Sequence, residues 1–197
     1  MNRRTRGLLL LALGLLALAA SAGLSLYNAR LDRLAGERAA QLLSAVERRL
    51  PEETAGDPAP DEAVTEPEKA EPPPEGVPWL LRVPSVGIDL PVLDEWSYER
   101  LDTAPCRYSG SLETGDLVIL GHSYRTHLRP LRQVAVGDAV ELTEPDGTVH
   151  RFVAAETEIL RGSQGDRLDS AYPLTIFTCT ADSRHRFLVR CAEAETP

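Results

Sequence analysis

A run of 23 residues without a charged side chain, residues 7–29, constrains this chain more than any other feature. The run is rich in leucine and alanine, and about 20 apolar residues suffice to cross a bilayer core as a helix. Arg3, Arg4 and Arg6 precede it, and such positive flanks stay in the cytoplasm. We therefore expect residues 1–6 to be cytoplasmic, residues 7–29 to form a transmembrane signal-anchor helix, and everything after it to be extracellular.

A cleaved secretory signal peptide is the alternative interpretation of this run. Small residues suited to cleavage occur at Ala20-Ser21-Ala22. The apolar run is long for a signal peptide, which favours a retained anchor and a single-pass protein of the cell membrane. Both interpretations predict an exported protein.

The distribution of charge and proline divides the rest of the chain into segments. The full chain of 197 residues carries a net charge of -9. Residues 30–50 have leucines at roughly helical spacing and predict a helical stalk. Residues 51–77 hold 9 acidic residues, 1 basic residue and 7 of the 15 prolines. Such a composition cannot bury enough apolar surface to fold, so we predict a disordered, extended linker. Residues 78–197 remain as the folded domain, and the acidic excess argues against a nucleic-acid binder.

Short strand patterns separated by turns fill the folded domain. We predict strands over 79–83, 86–92, 117–120, 139–143, 149–157, 174–179 and 187–191. Tyr98 to Leu101 predicts a short helix with Ser97 as its cap. The pattern indicates an all-β fold, a small closed β-barrel of about eight strands with one or two short helices.

The absence of several sequence motifs excludes common types of catalytic site from the folded domain. It contains no GxSxG elbow, no HExxH motif and no phosphate-binding loop, and we expect neither a metal nor a cofactor at the catalytic site. Glu156, Glu158 and Asp166 leave calcium binding open as an alternative, although a solvated acidic face is the simpler interpretation.

Cys179 ends an apolar strand, His122 follows another after Gly121, and Arg186 comes seven residues after Cys179. Thiolate catalysis needs a proton-exchanging group and a fixed positive charge for the developing oxyanion. These three residues are the predicted catalytic set, with Arg184 and Arg190 as alternatives to Arg186.

Three motifs carry a resemblance to a known family. They are Leu120-Gly121-His122-Ser123, Thr178-Cys179, and His185-Arg186-Phe187-Leu188-Val189-Arg190. In this order and spacing the chain resembles the sortases, the cysteine transpeptidases of Gram-positive bacteria. The resemblance extends to the anchor, the spacer and a β-barrel of this size.

The resemblance implies an activity and a role for each residue. Sortases cleave an LPxTG-type sorting signal between threonine and glycine, form a thioacyl enzyme, and transfer the acyl group to an amine. Cys179 would be the nucleophile, His122 the general acid, and Arg186 the group that stabilises the oxyanion. Ala104, Pro105 and Thr178 are predicted to contact substrate. The implied partners are surface proteins with a C-terminal sorting signal, a peptidoglycan precursor or a pilin lysine as amine, and the bilayer around the N-terminal helix.

Departures from the family pattern indicate the class. The short connection from Cys179 to Arg186 leaves no room for the helical insertion of class B sortases. No aspartate-aromatic lid motif precedes the barrel, as it often does in class C, and no apolar segment follows it. We therefore expect a class A, D or E-like enzyme that anchors single proteins.

Several alternatives stay open from the sequence alone. A degenerate, non-catalytic binding module is the main rival, whereas an L,D-transpeptidase would carry a His-Gly-Cys signature. Cys106 and Cys191 form a disulfide or remain buried thiols. Trp96 and Tyr98 pack the barrel end, which we favour, or line a substrate groove.

The remaining histidines have no assigned chemistry. His127, His150 and His185 are expected at the surface.

Overall fold

The computed structural model describes residues 3–48, 79–161, 168, 171–180 and 182–194. The acidic linker predicted over 51–77 lies outside these residues. The chain divides into two compact units, residues 1–34 and 35–197.

The first unit consists of the initial part of a long α-helix, α1, which spans Arg3–Glu47. Its leucines are exposed, among them Leu10 and Leu16 at 71% each. Apolar side chains without protein contacts are costly in water but suited to lipid. By length and composition this helix can cross a membrane.

Among its described residues, the second unit contains eight strands and a short helix. The strands are β1 (Trp79–Val83), β2 (Ile88–Val92), β3 (Cys106–Ser109), β4 (Leu117–Gly121), β5 (Ala139–Thr143), β6 (Val149–Arg161), β7 (Leu174–Cys179) and β8 (His185–Glu193). The short helix α2 spans Tyr98–Leu101, and single 3-10 turns occupy Pro84–Val86 and Arg129–Gln133. Ser97 caps α2, as predicted, because its hydroxyl accepts a hydrogen bond from the Arg100 amide at 3.1 Å.

The eight strands form one sheet in the order β2-β1-β5-β6-β8-β7-β4-β3. Its two edge strands meet through a parallel bridge between Leu93 and Cys106. Backbone hydrogen bonds of 2.8 Å support the bridge, from Leu93 to the carbonyl of Pro105 and from Arg107 to the carbonyl of Leu93. The sheet is therefore a nearly closed barrel, which confirms the predicted fold class.

The strand predictions differ from the structure in three places. The strand predicted from Val86 begins at Ile88, because Gly87 takes a left-handed φ of 66° after a 3-10 turn. β3 has only four residues and was not predicted. β6 and β8 are longer than predicted because they pair with each other over nine residue pairs, which include a bulge.

The barrel interior is apolar and the outer face of β7 carries a second apolar cluster. Leu174 and Ile176 point into the main core together with Leu117 and Ile119. Phe177 points the other way and packs with Val118, Leu160, Leu168 and Leu188. Strand residues alternate between faces, so Cys179 shares the outer face with Phe177.

The second unit also contains the end of α1, which packs on the barrel. Ala35 and Ala39 are 2% exposed, and Ala39 belongs to the main core cluster. A Cβ at Gly36 would come within 2.7 Å of the Thr126 side chain, so the helix approaches the β4–β5 connection closely. Val46 is buried near the other end of this segment. The predicted stalk therefore contributes to the folded domain.

Candidate active site

The only parallel pair among the described strands positions the cysteine and the histidine. β4 and β7 run side by side with Gly121 opposite Thr178. The carboxyl ends of two parallel strands lie at the same edge of a sheet, so His122 and Cys179 leave their strands at one edge. β8 returns antiparallel to β7 and places Arg186 opposite Cys179. The three predicted catalytic residues thus meet at one end of the barrel.

A groove with a cavity volume of about 260 Å³ opens at this edge, and His122, Cys179 and Arg186 all line it. Its apolar lining is provided by Leu101, Leu120, Leu160, Leu168 and Phe177. Apolar clefts with a few convergent polar groups are the usual form of a ligand site. The groove is therefore the candidate active site.

Thr178 and Gly121 hold the two strand ends together. The Thr178 hydroxyl donates a hydrogen bond of 2.8 Å to the carbonyl oxygen of Gly121. Glycine is required at position 121 because an added Cβ would lie 2.7 Å from the buried side chain of Leu128. Leu128 in turn donates its backbone amide to the carbonyl of His122 at 3.2 Å. The connection after β4 therefore folds back tightly and sets the position of His122.

His122 experiences two opposing electrostatic influences. Burial of the imidazole lowers its pKa, because the charged form loses water, while the Asp102 carboxylate acts to raise it. The Nε2 atom lies 3.4 Å from Oδ1 of Asp102, and the histidine side chain is 31% exposed. The net result is a lowered pKa. The buried site therefore favours the neutral imidazole, and the Asp102 carboxylate partly offsets this effect.

Of the three candidate arginines, Arg186 lines the groove. Arg190 shares its strand face but is 5% exposed, and its guanidinium donates to Glu158 at 3.0 Å. Arg184 is exposed in the connection before β8. The placement favours the sequence-based choice of Arg186.

The short connection between β7 and β8 is organised by Asp182. Its carboxylate accepts hydrogen bonds from the Thr180 hydroxyl and from the Arg184 amide, the latter at 3.1 Å. These bonds hold its pKa at about 2, and His185 beside it also favours the ionised form. Ser183 adopts a left-handed φ of 57° in the same turn. The turn therefore fixes the separation between Cys179 and Arg186.

All three cysteines are free thiols, so the structure contains no Cys106–Cys191 disulfide. Burial raises the pKa of Cys106 to about 11 and that of Cys191 to about 12. Both are fully buried, whereas Cys179 is partly exposed. Since the thiolate is the nucleophile, Cys179 is the thiol placed to react.

The three residues predicted to contact substrate are buried. Ala104 and Thr178 have no exposed surface, and Pro105 packs where the Cβ of a residue at position 121 would lie. None of them is among the described residues that line the groove. Their direct contacts are with neighbouring protein groups.

Sequence reasoning missed an aromatic wall on the groove. Trp96 lies 5.9 Å from Tyr98 and 5.7 Å from Tyr108 between ring centroids, and Tyr108 lies 5.6 Å from Phe177. All four line the groove, so the interpretation of Trp96 and Tyr98 as barrel packing was wrong. Tyr108 lies on β3, which was not predicted, so no predicted strand position could place Tyr108 at the groove.

Two further residues near the site were not singled out. Arg161 ends β6 and brings a second guanidinium to the groove. Asp102 directly follows α2 and contacts His122.

The histidines outside the site differ from expectation at one position. His127, expected at the surface, is 1% exposed with its ring 5.4 Å from that of Tyr124. His150 pairs with Glu144 at 2.6 Å and His185 with Asp182 at 3.2 Å, and both are partly exposed. In the part of the chain that the structure describes, no three His, Cys, Asp or Glu side chains come together as metal ligands.

Comparison with known proteins identifies the fold. The model of the sortase domain matches residues 81–194, which is more than half of the chain. Sortase A of Listeria monocytogenes is similar in structure, with a TM-score of 0.55 and 19% identity over 61% of this chain and 88% of that chain. No curated protein sequence matches the chain.

Two other solved structures are also similar, one of a sortase D5 and one again of a sortase A. A sortase D5 transpeptidase of Clostridium perfringens has a TM-score of 0.53 and 19% identity, over 60% of this chain and 79% of that chain. A lid mutant of sortase A from Corynebacterium diphtheriae has a TM-score of 0.55 and 21% identity, over 80% of this chain and 94% of that chain.

Proposed function

The chain belongs to the sortase family, and from that premise we propose that it is a membrane-anchored cysteine transpeptidase. It cleaves an LPxTG-like sorting signal between threonine and glycine and joins the new carboxyl end to an amine. The observation that carries the proposal is the convergence of Cys179, His122 and Arg186 on one groove. A nucleophile, a proton carrier and a fixed cation at one site are the requirements of acyl transfer.

Acylation uses all three side chains. The Cys179 thiolate attacks the carbonyl carbon of threonine, and the resulting oxyanion accepts hydrogen bonds from the Arg186 guanidinium. The bond to the glycine nitrogen then breaks, and His122 gives its proton to the leaving amine. The products are a thioester on Cys179, a free amine and a neutral imidazole.

Deacylation reverses these roles. An incoming amine attacks the thioester, gives a proton to His122, and displaces the Cys179 thiolate as an amide bond forms. Water in place of the amine gives hydrolysis as a side reaction. No metal or cofactor takes part in either step as proposed.

The proposed setting follows from the rest of the chain. The apolar part of α1 is suited to a bilayer, with the basic residues before it in the cytoplasm and the barrel outside. The substrates are surface proteins with a C-terminal sorting signal, and the amine belongs to a peptidoglycan precursor or a pilin lysine. The short turn from Cys179 to Arg186 supports a class A, D or E-like enzyme that anchors single proteins.

A transpeptidation assay by mass spectrometry tests the proposal. The full chain in detergent micelles receives LPxTG-like peptides with a glycine or diaminopimelate-type amine, beside Cys179→Ala and Arg184→Ala. We expect cleavage after threonine and an acyl adduct on Cys179 in the wild type and in Arg184→Ala, and neither in Cys179→Ala.

The same assay separates the enzyme from a non-catalytic binding module. A module would bind peptide with equal affinity in wild type and Cys179→Ala and form no adduct. Absence of an adduct across a broad peptide panel, with Cys179 shown to be a free thiol, contradicts the transpeptidase.

A further inference from the structure

Asp102 contacts His122 from outside the groove. It follows the last residue of α2, and its Oδ1 atom lies 3.4 Å from Nε2 of His122. Asp102 is not among the described residues that line the groove. A substitution at this position therefore leaves the groove lining intact while it changes the surroundings of the imidazole.

Tyr124 connects the same two residues. Its hydroxyl donates a hydrogen bond of 3.1 Å to Oδ1 of Asp102. Its ring lies 4.9 Å from the imidazole of His122 between centroids, tilted by 44°. One carboxylate oxygen thus contacts the histidine and the tyrosine, and the tyrosine ring covers the histidine. This geometry restricts both the carboxylate and the imidazole.

The other groups around His122 are neutral or positively charged. The titratable or charged residues of the groove lining are Tyr98, Tyr108, Arg161, Cys179 and Arg186. Tyr124 and the buried His127 lie on the connection that carries His122. Within the described residues, Asp102 is the carboxylate that acts on the imidazole.

We propose that Asp102 is a positioning residue for His122, which holds the imidazole through direct contact and stabilises its protonated form with the help of Tyr124. The sequence motifs of the site do not include Asp102 or Tyr124. The kinetic part of the proposal rests on the proposed transpeptidase function, whereas the effect on the protonation of His122 does not.

The contact has a chemical consequence for the first step. The leaving amine needs a proton from His122 while Cys179 is a thiolate, so the reactive form is the thiolate–imidazolium pair. A carboxylate near the imidazole favours this pair over the neutral thiol and imidazole. Because burial acts against the imidazolium, Asp102 determines how much of the reactive form is present.

The first experiment is an NMR titration of the histidine ring signals. The chain contains four histidines, so selective labelling of the full chain in micelles gives few signals, and His122→Gln assigns the one of interest. We expect Asp102→Asn to lower the pKa of His122, because burial then acts alone. Tyr124→Phe should lower it less. Asp89→Asn removes a carboxylate of β2 that pairs with Arg82 and should leave it unchanged.

The second experiment is the pH profile of kcat/KM. In Asp102→Asn we expect the ascending limb to move to lower pH and the plateau to fall about three- to tenfold, as for a partly exposed charge pair. Both changes arise from one shift in the pKa of His122. The displacement of the ascending limb in pH units should therefore equal the logarithm of the fold-change in the plateau. A merely structural defect lowers the plateau and leaves the limb in place.

The outcomes separate the two proposals. An unchanged titration of His122 in Asp102→Asn, in a chain with native thermal stability, overturns the positioning role. If Asp102→Asn fails to fold, two other variants test the positioning role. Tyr124→Phe should lower the pKa of His122, whereas Asp102→Glu, which retains the charge, should not. A wild type that never turns over contradicts the transpeptidase, and the titration still tests the contact.

Discussion

Thr178 donates a side-chain hydrogen bond of 2.8 Å to the carbonyl oxygen of Gly121, across the parallel pair β4 and β7. Thr178 is fully buried and precedes the proposed nucleophile, Cys179. Gly121 lies opposite Thr178 in the strand register and directly precedes His122. The bond therefore connects the two strand ends that lead to the proposed catalytic residues His122 and Cys179.

We predict that Thr178→Val lowers both stability and activity. Valine keeps the shape but removes the donor, so the buried carbonyl of Gly121 loses its side-chain partner at a cost of about 1–3 kcal/mol. The ends of β4 and β7 then separate more easily, and kcat/KM should fall about tenfold through lost orientation. Urea denaturation and steady-state kinetics measure the two effects.

Thr143→Val on β5 is the matched control. Thr143 is also buried, at 8% exposure, but it lies on β5, which among the described strands pairs with β1 and β6 and not with β4 or β7. We expect kcat/KM to stay near the wild-type value in this variant. Equal kinetic effects in both variants would show that Thr178 has no special relation to the site.

The three thiols should differ sharply in reactivity. At pH 8 in the native state we predict alkylation of Cys179 alone, because Cys106 and Cys191 are buried and their pKa values are about 11 and 12. All three should react in denaturant. Intact-mass measurement counts the adducts, and Cys179→Ala should show none in the native state. Two native adducts in the wild type would contradict the buried positions.

Asp182 should contribute to stability with a defined pH dependence. Its pKa is lowered from 3.8 to about 2 in the folded state, so its contribution is present above pH 4 and is lost as the pH falls toward 2. The Tm difference between wild type and Asp182→Asn should be present at pH 5 and shrink as the pH falls toward 2. Circular dichroism melts at each pH test this. A difference that persists at pH 2 would contradict the assignment.

The sequence predicted the barrel from local patterns, whereas the prediction of Cys179, His122 and Arg186 as the catalytic set depends largely on the motifs that resemble those of sortases. Alternating apolar residues indicate strands in any context, and the Cys179 and His122 motifs each follow such a strand. β3 escaped prediction because its four residues are held by pairing with β4 rather than by an apolar pattern. Tyr108 was missed with it.

The rest of the site depends on contacts between distant segments. Asp102 reaches His122 because the end of α2 lies beside the β4–β5 connection, which no local pattern indicates. His127 was expected at the surface because its side chain is polar, but tertiary packing buries it. The burial of Ala35 and Ala39 likewise depends on the barrel surface that α1 meets.

The packing of α1 on the barrel yields a last prediction. Val46 joins an apolar cluster with Leu93, Leu101, Ala104 and Cys106. We expect Val46→Asp to lower the free energy of unfolding by about 1–3 kcal/mol, since it removes a buried apolar side chain and adds an unpaired charge. In a Cys179→Ala background it should also speed alkylation of Cys106, because the helix then covers the cluster less often.

Ser44→Asp provides the control on the same helix turn. Ser44 is exposed, so this variant adds the same charge without disturbing the cluster. Peptide mapping after alkylation distinguishes Cys106 from Cys191, whose surroundings in the main core do not include Val46. We therefore expect Val46→Asp to raise the rate at Cys106 several-fold over Ser44→Asp and to leave Cys191 slow. Equal rates at Cys106 in the two variants would mean that α1 does not cover the barrel in solution, because only a seated helix makes position 46 differ from position 44.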